Sequence, residues 1–431
     1  MDQSLYRAFV RILREELIPA MGCTEPIAVA YAAALARKTL GVLPEGVDIR
    51  VSANIIKNVK SVVVPHTGGL RGIAAAAAAG IVAGRPEREL QVLSEVSQAE
   101  IAAMADYLEQ TPIAVGSLEE GYLFDIQVRV RALGHRAFVR ISGTHTNVVR
   151  VERDDTVLLS RPYTQDRQTE RTDRNLLSVE RIVEFADCVK MEDVQEILDR
   201  QIALNTAIAE EGLRGNWGAN IGSILLGAYG DEVHNRAKAM AAAGSDARMS
   251  GCEKPVVINS GSGNQGITAS VPVVVFAREE GRTEEELLRA LAFSNLIAIY
   301  QKSFIGKLSA YCGAVSAACG SAAGIAFLEG AGMDVIQLTI DNTLGNVAGI
   351  VCDGAKASCA AKISSAVHAG QLGYRMAKQG FGFQEGEGLI GKDADQTIQT
   401  FGCVGRDGMR QTDKVILHMM VEDREASLQM C

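Results

Sequence analysis

The spacing of apolar positions divides the chain into differently patterned parts. Residues 4–17 carry apolar side chains at helical spacing. A second helical run follows Gly22-Cys23-Thr24-Glu25-Pro26 and reaches about Leu40, with Pro26 suited to a first helical turn and Thr24 or Glu25 to the cap. From residue 45 the pattern changes. Segments 47–53 and 59–64 predict strands, 74–83 and 99–108 predict helices, and 122–132, 136–142, 148–152 and 157–160 alternate with β-branched residues between turn breakers. Segment 161–174 is polar and charged and reads as a linker. Beyond it, helices are predicted over 176–187, 192–211, 218–228, 231–245, 265–278, 283–300, 309–328, 333–345, 355–370, 394–403 and 409–421. Only 255–258 is strand-like there.

The expected fold is therefore α+β: a mostly helical catalytic domain with a smaller α+β domain built on an antiparallel sheet. The expected division is 1–44 (N-terminal helices packing on the catalytic domain), 45–165 (the α+β domain) and 166–431 (the helical domain).

Composition narrows the picture. Hydrophobic residues make up 47% of the 431 positions but aromatics only 5%, with 43 glycines, so the core is built from small side chains that suit close helix packing. A net charge of −9 excludes the basic surface a nucleic-acid binder would carry. Segment 308–328 has no charged residue, yet it is mostly Ala, Ser, Gly and Cys, so a buried central helix is expected and not a membrane span. Met1-Asp2-Gln3-Ser4 has no signal-peptide character. With nine cysteines, an odd number, in a chain too large to need disulfides, reduced thiols in the cytoplasm are expected.

Three of those thiols draw attention: Cys312 in Tyr311-Cys312-Gly313, Cys352 in Cys352-Asp353-Gly354-Ala355-Lys356, and Cys359 in Ser358-Cys359-Ala360. Their separations (39 and then 6 intervening residues) match no short zinc motif, and buried cysteine often serves as a small apolar filler. The neighbouring glycines favour a metal role, because they let backbone approach a bulky group. Asp353-Gly354 also predicts a break after Cys352. On an unbroken helix Cys352 and Cys359 would stand ~10 Å apart.

Cys23 differs, since it precedes a helix, where the dipole favours a thiolate and makes it a candidate base or nucleophile. Cys188, Cys252, Cys319 and Cys403 read as core, and the terminal Cys431 as a tail residue or a cap on an open cluster iron. His66 and His145 lie in turns where either lines a site or is merely hydrogen-bonded. Ser260-Gly261-Ser262-Gly263-Asn264-Gln265-Gly266 follows a strand and opens a helix, matching G-x-G-x-x-G. No second strand is predicted after that helix, so an anion-binding turn fits better than a dinucleotide site.

Together these pieces resemble the L-cysteine desulfidase family, related to the α-chain of iron–sulfur L-serine dehydratases. The resemblance rests on Gly22-Cys23-Thr24-Glu25-Pro26, Asn54-Ile55-Ile56-Lys57-Asn58, the 260–266 turn, Leu308-Ser309-Ala310-Tyr311-Cys312-Gly313, the Cys352 and Cys359 segments, and Gln411-Thr412-Asp413, in order from 22 to 413. It implies a [4Fe–4S] cluster without redox duty, bound by Cys312, Cys352 and Cys359, with Cys23 as the proton-abstracting residue. Ser260, Gly261, Ser262, Gly263, Asn264 and Gln265 are expected to hold the substrate carboxylate. The implied reaction takes a small amino acid, L-cysteine, with water to pyruvate, ammonia and hydrogen sulfide, without pyridoxal phosphate. Two positions depart from the family pattern: His66, where a glycine is expected after Pro65, and the terminal Cys431. L-Serine or L-threonine dehydration with the same cluster, a non-enzymatic protein with structural zinc, and a nucleotide-binding enzyme stay open as alternatives. A membrane or nucleic-acid partner is not expected, and a homo-oligomer stays open.

Overall fold

The computed structural model describes residues 1–118, 122–162, 171–306 and 309–421. The calls on Leu308 and Cys431, and most of the 161–174 linker, fall outside them. Five helices precede and interleave with a sheet: α1 (Gln3–Glu16), α2 (Thr24–Leu40), α3 (Ala53–Val59), α4 (Gly72–Ala83) and α5 (Gln98–Gln110). The strands are β1 (Pro19–Met21), β2 (Gly46–Val51), β3 (Ile113–Ser117), β4 (Asp125–Ala132), β5 (His135–Ser142), β6 (Val148–Arg153), β7 (Thr156–Ser160) and β8 (Pro255–Val257). The remaining helices are α6 (Val179–Cys188), α7 (Met191–Arg214), α8 (Ile221–Tyr229), α9 (Val233–Met249), α10 (Gly263–Glu279), α11 (Glu284–Ile305), α12 (Gly313–Leu328), α13 (Met333–Val347), α14 (Ser358–Lys378), α15 (Ala394–Cys403) and α16 (Arg410–Val421). The fold is α+β with a helical majority.

The main sheet runs β3-β2-β4-β5-β6-β7. It is antiparallel except at β2–β3, which is parallel, so the expected antiparallel sheet is a mixed one. Period-2 alternation puts Ile126, Val128 and Val130 of β4 and Ala137, Val139 and Ile141 of β5 on the buried face, where α2 packs. Helix α2 in turn packs on α4, and alanines on both let the backbones close up. A Cβ at Gly80 would lie 2.1 Å from the Ala30 carbonyl oxygen. Helix α1 instead lies on the helical part, with Phe9 and Tyr6 against Phe185. Arg171 and Arg174 join α1 through Glu16 at 2.8 and 2.6 Å.

In the helical part, α12 is surrounded by α10, α11, α13 and α14. Its glycines set the spacing: a Cβ at Gly320 would lie 2.6 Å from the Ser294 carbonyl oxygen. Within the uncharged segment, Gly313–Leu328 is a buried helix, with 309–312 leading into it, and among the described residues no helix is long and apolar enough to cross a membrane.

Some expectations fail for physical reasons. Segment 59–64 is not a strand. Helix α3 occupies 53–59, and the chain then turns, so that only Val63 makes a strand-like bridge, to Arg71, while Val59, Val62 and Val64 are buried by tertiary packing. The 47–53 strand ends at Val51, because Ser52 is the N-cap of α3. The edge strand β3 is mostly solvent-facing, and the three-residue β1 is too short to give a period. Cys188 and Cys403 are exposed, not core, while Cys252 and Cys319 are buried as expected. Strand β8 pairs only with β1, and α10 is followed directly by α11, so the second strand a dinucleotide fold needs is missing from the described structure.

Candidate active site

Four helix N-termini meet at one cavity of about 120 Å³. Cys23 is the N-cap of α2, Ser262 of α10 and Cys312 of α12, and Cys359 lies in the first turn of α14; all four line it. Each helix turns its positive dipole end and its unsatisfied N–H groups toward this region, so the site favours anions.

The loops before α12 and α14 are tied together. Cys312 N donates to Ile350 O at 3.0 Å, Cys352 N donates to Ala310 O at 2.6 Å, and Tyr311 bridges Val351. This brings two residues far apart in sequence side by side, and the Cys312 thiol donates to the Cys352 sulfur. That hydrogen bond, with Lys57 nearby, favours the thiolate of Cys352 and disfavours that of Cys312. The expected break after Cys352 is present: residues 352–357 are irregular, and Gly354 takes φ +92°. A Cβ there would lie 2.3 Å from the Lys57 carbonyl oxygen, so only glycine lets this loop pass α3. Cys359 then reaches the same cavity, its thiol pushed up by burial.

Cys23 is brought to these thiols, sharing a small apolar cluster with Val62, Met249, Ala355 and Cys359. Its expected activation by the α2 dipole is not met. The thiol donates to Glu25 Oε2 at 3.2 Å, and burial followed by the Glu25 charge pushes it well above the usual thiol range. Burial works against ionisation of Glu25 as well, but the charge of His145 and hydrogen bonds from Cys23 and Thr24 outweigh it and hold this carboxyl low. Asn58 Nδ2 adds a further bond at 2.9 Å.

The glycine-rich turn is divided between two adjoining cavities. Ser262, Asn264 and Gln265 line the first. Ser260, Gly261, Ser262 and Gln265 line a larger one of about 770 Å³, which Glu25, His145 and Lys302 also border. Gly263 lines neither; a Cβ there would lie 2.3 Å from Arg248 Nε. Gly266 is needed because its Cβ would lie 2.0 Å from the Val257 carbonyl oxygen. His145 packs edge-on against Phe124, with ring centroids 4.7 Å apart. His66, at φ +56°, holds the left-handed conformation that a glycine would take without strain, and its Nδ1 lies 3.2 Å from Glu253.

Sequence reasoning assigned no role to several groups in and behind the cavity wall. Lys57 and Asp413 come from two motif pieces far apart in the chain and form a buried ion pair at 2.6 Å. Lys302 is buried beside the thiols, and burial brings its pKa down to about 8 against the pull of Cys352 and Cys312. The Tyr311 hydroxyl and Gln265 Oε1, both on residues that line the cavity, are buried without a hydrogen-bond partner among the described residues. Lys302 had one available signal, a charge directly after the uncharged run from Ala290 to Gln301, whereas Arg248 shares α9 with Arg236, Lys238 and Asp246 and had none.

A mainly helical α+β fold with thiols, a buried carboxylate and buried cations around one small cavity describes a lyase-type site better than a binding platform. Residues 87–418 match the serine dehydratase alpha chain family, and the chain belongs to that family. Over 416 residues it is 53% identical to a UPF0597 protein of Desulfitobacterium hafniense, covering 96% of this chain and 97% of that one. It is 48% identical over 417 residues to a UPF0597 protein of Lachnoclostridium phytofermentans (97% and 100% covered), and 46% identical over 418 residues to one of Finegoldia magna (96% and 99%). Family membership points to a lyase-type, dehydratase-like enzyme.

Proposed function

We propose that this protein is a [4Fe–4S]-dependent, pyridoxal-independent lyase that converts L-cysteine to pyruvate, ammonia and hydrogen sulfide. The observation that carries this reading is the gathering of Cys312, Cys352 and Cys359, with Cys23, around one small cavity. The donor set fits a cluster. Cys312, Cys352 and Cys359 all line one cavity, and thiolates are the donors an iron–sulfur cluster takes, each on its own iron. Cys312, Cys352 and Cys359 would hold it, and the group supplies a Lewis acid for the β-substituent.

The chain's own residues do the rest. Cys23 stands beside Cys359 and takes the α-proton in its thiolate form, with Glu25 as its hydrogen-bond partner. The α10 N-terminus faces the carboxylate, and Lys57 and Lys302 offset negative charge beside the thiols. Loss of the β-substituent leaves an aminoacrylate, whose imine tautomer hydrolyses to pyruvate and ammonia.

Cys23, Ala355, Cys359 and Ile363 give the cavity an apolar, sulfur-bearing side that favours a thiol over a hydroxyl substituent. The second reading, L-serine dehydration, is favoured by the family's description and by the unpartnered Tyr311 hydroxyl, which suits a substrate oxygen. Anaerobic assay of sulfide, ammonia and pyruvate from each amino acid tests both. Sulfide from L-cysteine well above ammonia from L-serine supports the first, and the reverse supports the second.

A further inference from the structure

Arg248 ends α9 with only 2% of its surface exposed, and it lines the thiol cavity. Its Nη1 donates to the neutral Asn264 Oδ1 at 3.1 Å, while Nε is buried with no hydrogen-bond partner among the described residues. The nearby buried carboxylate does not serve it: Asp246 accepts from Ala219 N at 3.1 Å and Ile221 N at 2.7 Å. A buried guanidinium without a carboxylate is costly, and the cost falls when an anion docks.

The guanidinium also lies on the first residue of α10. Gly263 has no Cβ to displace it, and Ser262, the N-cap, makes no side-chain bond back to the helix. Fixed donors from a forked side chain and from a 17-residue helix therefore face the same space.

We propose that Arg248, with the N-terminus of α10, docks the α-carboxylate of a free amino acid and makes that carboxylate a requirement for binding. The proposal takes its substrate class from the lyase reading above and adds the residue that selects for it. Gln265 Oε1, buried and unpartnered on the same cavity, is an acceptor for the α-ammonium. The β-substituent is then left to the end lined by the three thiols.

Calorimetric binding of L-alanine, which has no leaving group, against L-alaninamide tests this on the anaerobically prepared holoprotein. The wild type is expected to bind L-alanine about 30-fold or more tighter, the low end of what removing one partner of a buried charge pair costs. Arg248→Met is expected to abolish that preference, and Arg248→Lys to retain part of it, since an ammonium lacks the fork. Equal binding of the two ligands by the wild type, or no binding of L-alanine, overturns the proposal without recourse to any variant. So does wild-type affinity for L-alanine in a folded Arg248→Met. Carboxylate-selective binding that depends on Arg248, in a protein that turns over neither L-cysteine nor L-serine, supports the docking site while sinking the lyase reading.

Discussion

Cys23 shows how far a single residue can be read. Its place before a helix was visible in the sequence and drew attention to it, but the environment that sets its chemistry was not. Burial, which comes from chain folded over it, and the carboxylate of Glu25 two residues on together keep the thiol protonated. Cys23→Ala is expected to keep the cluster's absorbance and lose turnover by about 100-fold or more, the scale of a general base; normal turnover would place the base elsewhere. Glu25→Gln preserves shape and is expected to lower kcat while sparing the cluster. Away from the site, Asp341 is raised to about 6 by burial, and its Oδ1 has no hydrogen-bond partner among the described residues. A carboxyl with a raised folded pKa contributes its full stability below the unfolded value near 3.8, and this is lost as pH rises through about 6. Asp341→Asn should therefore raise the melting temperature at pH 8 and change it little at pH 4. An equal shift at both would deny the titration.

At the scale of elements, most helices and the central strands were legible: α1 and α6 carry a helical period, β4 and β5 an alternation, and the buried α4 and α12 long runs of small apolar residues. What escaped was decided by packing: α3, with β-branched residues inside a buried helix, and β3, an edge strand with weak alternation. The break after Cys352 was legible through Gly354, but its cause was not. That loop crosses the Lys57 carbonyl, and Lys57 is held by Asp413 of α16. Three segments read separately in the sequence thus form one support for the 352–359 loop. Asp413→Ala leaves a buried ammonium unpaired and is expected to cost about 3–5 kcal/mol in urea unfolding, together with loss of bound iron. Gly354→Ala should release iron too, because both φ and the close approach forbid a side chain. Tight iron binding by either folded variant would show that the 352–359 loop stands without this support.

For the whole molecule, the sequence placed the thiols, the anion-binding turn and the Cys23 segment in order but could not show that their helices share an origin. The structure brings four helix N-termini to one cavity and lines it with Arg248, Lys57 and Lys302. This concentrates positive potential in a protein whose net charge is −9. That arrangement suits thiolates, an anionic cluster and a substrate carboxylate together, and it explains why the chemistry is legible only in the assembled fold. The most direct measurement is anaerobic purification with iron and sulfide analysis, followed by product assay with L-cysteine. The account predicts a brown protein with about four irons that releases hydrogen sulfide and pyruvate together. A colourless or zinc-loaded protein that makes neither product would contradict it and return Cys312, Cys352 and Cys359 to structural roles.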